Sequence, residues 1–255
     1  MKRPMYIAST LLATLALAAM AAAAAQAENA PYWSISGTRL ARGKTHFISV
    51  KVQKGSSLAL DASGVDTTCT TLKVKAGASL LGSEEGEPGT EGQVAEISGC
   101  TVTGDGTSCE LEGGKLETKP LRGELVEDAA TKKKLLVEFK PEKGVTFATV
   151  KFAGTCTIKE AAVNGEVLAQ IKTDNGSEEV IELGKTTKGE RYASLTIVNP
   201  EPTKVWLVKA GVGKEEEVEP LEFAAKTAEL TGTALIALAN SKGETEESAE
   251  WTPMP

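Results

Sequence analysis

The feature that most limits what this chain can become is a two-residue hydrophobic period that recurs along most of its length. Ala148, Val150, Phe152, Gly154, Cys156 and Ile158 alternate with Thr149, Lys151, Thr155 and Lys159. Successive side chains on a strand point to opposite faces, so such a segment sets one apolar row against a core and one polar row toward water. Ile48, Val50 and Val52 repeat the pattern, as do Leu135, Val137 and Phe139 against Leu136, Glu138 and Lys140. Val163, Val167, Ala169 and Ile171 continue it around Asn164-Gly165, and Leu195 with Ile197 resume it later. A helix needs apolar residues every three to four positions and is not served by this spacing. Turn residues separate the runs at Lys54-Gly55-Ser56, 85–92, Gly113-Gly114, 141–144, Asp174-Asn175-Gly176 and 211–214. Short alternating runs with frequent turns predict an all-β fold, an antiparallel β-sandwich or barrel. One segment departs from this: Leu221 to Leu230, after Pro220, reads as a short helix. Ala234 to Ala239, which follows, reads as a strand.

The first 27 residues stand apart from that pattern. Met1-Lys2-Arg3 is basic, Tyr6 to Ala25 is rich in Leu and Ala, and Ala25-Gln26-Ala27 has the small-x-small form of a cleavage site. Residues 1–27 are therefore expected to be a signal peptide, with Glu28 as the mature N-terminus and a secreted or cell-envelope location. No other stretch is long and apolar enough to span a bilayer as a helix, so no membrane span is expected after cleavage. Losing Lys2 and Arg3 takes the net charge from −7 to −9. An acidic surface repels phosphate backbones, which argues against a nucleic-acid partner. Residues 28–255 are expected to form one all-β domain, with a candidate sub-boundary near 174–190, where the sequence turns polar.

All four cysteines, Cys69, Cys100, Cys109 and Cys156, lie in the exported part. An even count in an oxidising compartment predicts two disulfides. Gly104-Asp105 has the composition of a two-residue II′ hairpin turn, which would set Cys100 opposite Cys109 at bridging distance. A I′ turn at Asp105-Gly106 would instead place Cys100 opposite Leu111. The first register predicts Cys100–Cys109, leaving Cys69–Cys156 as a long-range bridge. Cys156 shares a face with Val150 and Phe152, so its disulfide is expected in a core. Zinc is disfavoured because the cysteines lack paired short spacings.

Gly99-Cys100, Cys109 after a hairpin, Leu116 to Leu125 (LETKPLRGEL) and Cys156 resemble, in an exported chain, a group of uncharacterised secreted actinobacterial proteins over roughly residues 31 to 172. The resemblance implies export and a β-rich, disulfide-bonded domain. It carries no assigned activity and therefore no catalytic residues.

Residues capable of chemistry are sparse. His46 is the only histidine and shares strand parity with Ile48 and Val50, which predicts a partly buried ring at a strand entry. There is no Gly-x-Ser-x-Gly elbow. Of 35 acids only five are Asp, and most Glu fall in polar turns. Paired carboxylates of a glycoside hydrolase remain an alternative. Asp61-x-Ser63-x-x-Asp66 and 174–179 are oxygen-rich but lack calcium-loop spacing. Trp33 and Trp206, among apolar neighbours, read as core anchors. Trp251 and Tyr32 are the candidate ligand surface of a carbohydrate-binding module. The sequence thus predicts an exported, non-catalytic β-domain without cofactor or metal, a structural or interaction module for an envelope protein or glycan. Leu121-Arg122-Gly123-Glu124-Leu125 and Val163-Asn164-Gly165-Glu166-Val167 echo each other, and their glycines are expected at bulges or close backbone approaches.

Overall fold

The computed structural model describes residues 31–254 apart from 63, 76, 83–87, 105–107, 130–133, 173–183, 186–190, 199–203, 210–211 and 247–249. The expected signal peptide, the 174–179 loop and most of the candidate sub-boundary lie outside the described residues. The strands in chain order begin with β1 (Tyr32–Ile35), β2 (Thr38–Arg39), β3 (Thr45–Val52), β4 (Leu58–Ala62), β5 (Val65–Val74), β6 (Ser79–Leu81) and β7 (Gly89–Gln93). Then come β8 (Ala95–Thr103), β9 (Cys109–Leu111), β10 (Lys115–Glu117), β11 (Leu121–Asp128), β12 (Leu135–Pro141), β13 (Thr146–Gly154), β14 (Glu160–Asn164) and β15 (Val167–Lys172). The last are β16 (Gly184–Lys185), β17 (Arg191–Val198), β18 (Lys204–Lys209), β19 (Val212–Glu217), β20 (Glu222–Phe223), β21 (Lys226–Leu238) and β22 (Trp251–Met254).

The alternation does become strands, and the strands close. Antiparallel pairing runs β7–β11–β12–β15–β17–β21–β3–β6 and returns to β7, which makes an eight-stranded barrel. Closure leaves no unpaired edge in the barrel wall. Its interior holds Ile48, Leu80, Leu125, Val137, Ile171, Leu195, Ile236 and Leu238. A separate sheet, β2-β1-β22, adds Trp33 and Trp251 to the same cluster.

The other strands pair in the order β21–β4–β5–β8–β10 and, through a Thr118↔Ala148 bridge, continue to β13, β14, β20 and back to β21. This second ring encloses its own core, with Leu60, Val65, Leu111, Val150, Phe152 and Phe223. Strand β21 serves both rings: residues 228–231 pair with β4 and residues 234–238 with β3.

The disulfides are Cys69–Cys100 and Cys109–Cys156, which corrects the expected pairing. A Cys100–Cys109 hairpin needs its two strands to pair with each other. Strand β8 pairs with β5 through Cys100, and Cys109–Leu111 pairs with β13 instead of folding back on β8. Cys69 is then the direct cross-strand neighbour of Cys100, with Cα atoms 4.0 Å apart. The glycine at 104 answers to a different constraint: a Cβ there would strike the carbonyl oxygen of Gly64. Cys109 and Cys156 are both buried in the core of the second ring, as the parity of Cys156 predicts.

The expected helix at Leu221–Leu230 is also corrected. It is a hairpin of β20 and the start of β21, with Ala224 and Ala225 as its two-residue loop, both at positive φ (50° and 59°). A lone ten-residue helix is marginal. As strands, these residues bond to β14 on one side and β4 on the other while Phe223 and Ala228 face the core. Ala234 to Leu238 is strand, as expected.

Two outcomes follow for stability. Sequence separations of 31 and 47 close loops of similar entropy. Removing either bridge as a paired Cys→Ala variant is expected to cost a similar amount, up to about 4 kcal/mol each, read from urea midpoints. The Ala224-Ala225 loop holds two L-residues where Asn-Gly is preferred. The double variant A224N/A225G is expected to gain about 1 kcal/mol and to raise Tm by a few degrees in a calorimetric scan.

Candidate functional site: a buried carboxylate pair beside a polar cleft

On β12, Leu135, Val137 and Phe139 turn inward, as their parity predicts, and Leu136, Glu138 and Lys140 turn outward. That outer face is itself covered. Val126, Leu136, Leu168, Val205 and Val218 form a small buried cluster on it. Glu138 is therefore fully buried, and so is its cross-strand neighbour Glu124 on β11.

Two cations hold this pair. Arg122 Nη2 lies 2.6 Å from Glu124 Oε1, and Lys140 Nζ lies 3.0 Å from Glu124 Oε2 and 3.3 Å from Glu138 Oε2. Glu138 Oε1 has no hydrogen-bond partner among the described residues. Burial is the main force on the Glu138 carboxyl and pushes its pKa up to about 7. Lys140 opposes that shift, while Glu166 and Glu124 add to it. For Lys140, burial disfavours the charge, but Glu138 and Glu124 outweigh it and push its pKa up to about 12.

Of the three residues joined by this ammonium, Lys140 alone also lines a cleft of about 420 Å³, with Asn164, Glu166, Glu219 and Glu222 among its walls. Glu166 accepts the Glu219 backbone N–H at 3.2 Å. The two echoed Gly-Glu pairs thus flank Glu138 from both sides. Their glycines are close approaches, as expected: a Cβ at Gly123 would meet Thr90 and one at Gly165 the carbonyl of Pro220. The sequence pattern assigns Glu124, Glu138 and Glu166 no such role. The available signal was Leu136 in the outward row, which marks that face of β12 as covered.

The other candidates are dispersed. Trp251 is buried, 3% exposed, which corrects its placement at the surface. It packs on Trp33 with ring centroids 6.1 Å apart and planes tilted by 53°. Pairing of β22 with β1 carries it inward despite its acidic flank. Trp33 is a core anchor, as expected, and its Nε1 donates to Gly89 O at 2.8 Å. The Trp206 side chain lies outside the described residues. Tyr32 is half-buried, with the Arg39 guanidinium 4.7 Å over its ring centroid. His46 is partly buried, as its parity suggests; Nε2 lies 3.7 Å from Glu246, and Nδ1 is near its neighbour Phe47 O. Asp61 and Asp66 face each other across the β4–β5 ladder, both exposed. Among the described residues no three His, Cys, Asp or Glu side chains cluster to hold a metal, and no helix is long and apolar enough to cross a membrane.

No protein-family model, curated protein or solved structure matches the chain.

The raised Glu138 pKa sets a pH dependence. Folded Glu138 stays protonated up to about pH 7, whereas in an unfolded chain it ionises near 4.5. Between those values the folded state binds more protons, so its stability falls as pH rises through that window. The loss amounts to at most about 3 kcal/mol. Glu138→Gln, neutral throughout, is expected to remove this decline and to be more stable than the parent at pH 8. Urea midpoints at pH 5.5 and 8 for both proteins check it.

Proposed function

We propose that this protein is an exported, non-catalytic β-module that acts in the cell envelope or outside the cell as a structural or interaction unit. The observation that carries the reading is the pair of closed strand rings, joined through β21 and stapled by two disulfides. Such closure suits a scaffold that must persist without chaperones in an oxidising medium. The actinobacterial resemblance and the signal-like residues 1–27 support export. The acidic, well-closed surface supports contact with an uncharged or basic partner, a protein or a glycan, through its turns.

A carbohydrate-binding reading loses the support of Trp33 and Trp251, because a sugar platform needs exposed, coplanar rings and these two are buried and tilted. The glycosidase reading draws on one specific observation, a carboxyl titrating near pH 7 beside a second carboxyl. Against it stands the engagement of Glu124 by Arg122 and Lys140 and the burial of both acids, which leaves no room for a sugar between them.

Fractionation of the producing cell tests the export. The expected product is an envelope or extracellular protein that starts at Glu28 and has no free thiol; a cytoplasmic protein that retains residues 1–27 would overturn it. A panel of chromogenic glycosides tests the chemistry. No turnover is expected, and turnover abolished by Glu138→Gln would replace this reading with the glycosidase one.

A further inference from the structure

Where the two cores meet, the packing is incomplete. Val50 and Phe139 border both clusters, and between them lies a cavity of about 90 Å³. Its walls come from both rings, including Leu72 and Leu230 from the second and Leu195 and Ile236 from the barrel. Several inward-facing residues here, Val50, Ile197 and Leu230 among them, keep residual exposure although each strand is paired on its flanks. That surface faces the cavity. The walls cannot collapse inward, because each ring is held at its circumference by its own hydrogen bonds, and β21 changes ring at this level. An apolar void costs stability in proportion to its volume, so a fold that keeps one retains space that a ligand can use.

One wall residue breaks the apolar lining in an informative way. Gln93, at the end of β7, is 5% exposed and lines the cavity, and its Nε2 has no hydrogen-bond partner among the described residues. A buried amide without a partner is costly and rare in native proteins. Thr118 also lines the cavity. Its Oγ1 accepts the Ala95 N–H at 3.0 Å, which leaves the hydroxyl hydrogen free to donate. An apolar chamber whose lining includes a few polar groups is the usual construction of a small-molecule site. Water alone suits it poorly, since an ordered buried water typically makes about three hydrogen bonds.

We propose that this cavity binds a compact, uncharged hydrophobic molecule with one hydrogen-bond-accepting oxygen, held by the walls of both cores and by the Gln93 amide. A cavity of about 150 Å³ holds benzene, so one of about 90 Å³ takes a ligand clearly smaller than benzene; acetone, with three carbons and one carbonyl oxygen, has the right chemistry. Eight-stranded barrels have interiors that either fill with side chains or hold one small ligand, and here the space lies where the barrel core gives way to its neighbour.

Methyl-labelled mature protein titrated with acetone tests this, with 2-methylpropene as the hydrocarbon of the same shape. Acetone is expected to give saturable shifts at Val50, Ile197 and Leu230. Gln93→Leu is expected to weaken acetone by at least about five-fold without weakening the hydrocarbon. Absence of saturable shifts with acetone, or an unchanged acetone affinity in the variant, would overturn the proposal. If Gln93→Leu does not fold, Ala95→Leu fills the cavity and leaves the Gln93 amide in place. Loss of the acetone shifts is then expected, and their persistence would overturn the site.

Discussion

Closure of the backbone hydrogen-bond ladder governs this molecule. Every strand of the barrel has a partner on each side, and strand β21 passes from the barrel into a second ring that also returns to it. Closure fixes the circumference of each ring before any side chain is placed, because the spacing between paired strands is set by the backbone. The separate cores, the cavity between them and the burial of the outer face of β12 follow from how these rings meet and what covers them. The disulfides reinforce the second ring: one ties β5 to β8, and the other ties the start of β9 to the segment just past β13.

The same geometry explains the electrostatics. An outward Glu138 on an isolated sheet would be solvated and ordinary. Covered by the Val126–Leu136–Leu168–Val205–Val218 cluster, it becomes a buried acid whose neutral form is favoured. Arg122 and Lys140 serve as counterions for Glu124, and Lys140 also reaches Glu138. A buried charge without such partners is strongly destabilising, and these two contacts relieve that at Glu124.

Much of this fold is legible in the residues. The period-two rows of β3, β12, β13 and β15 point inward where their spacing puts them, and Cys156 lies in the core for the same reason. The glycines of the two echoed segments do mark close approaches. The errors share one origin. The hairpin register around Gly104, the helix at Leu221–Leu230 and the exposed Trp251 were each inferred from neighbours in sequence. Each was decided by a distant partner: β5 for Cys100, β14 and β4 for Phe223 and Ala228, and β1 for Trp251. The site was harder still to read: Leu136 beside Glu138 and the echoed Gly-Glu pairs are its only local marks, and neither says that the three acids meet.

Alternation, turn residues and an even set of cysteines were enough, without coordinates, to determine an all-β, disulfide-bonded chain, because a two-residue period has only one regular backbone that satisfies it. Which strands became neighbours was decided only in three dimensions. Pairing is a contact between segments far apart in the chain, and it alone settled how four cysteines made two bridges, which outward face was covered, and where the two cores left a space with an unpaired amide.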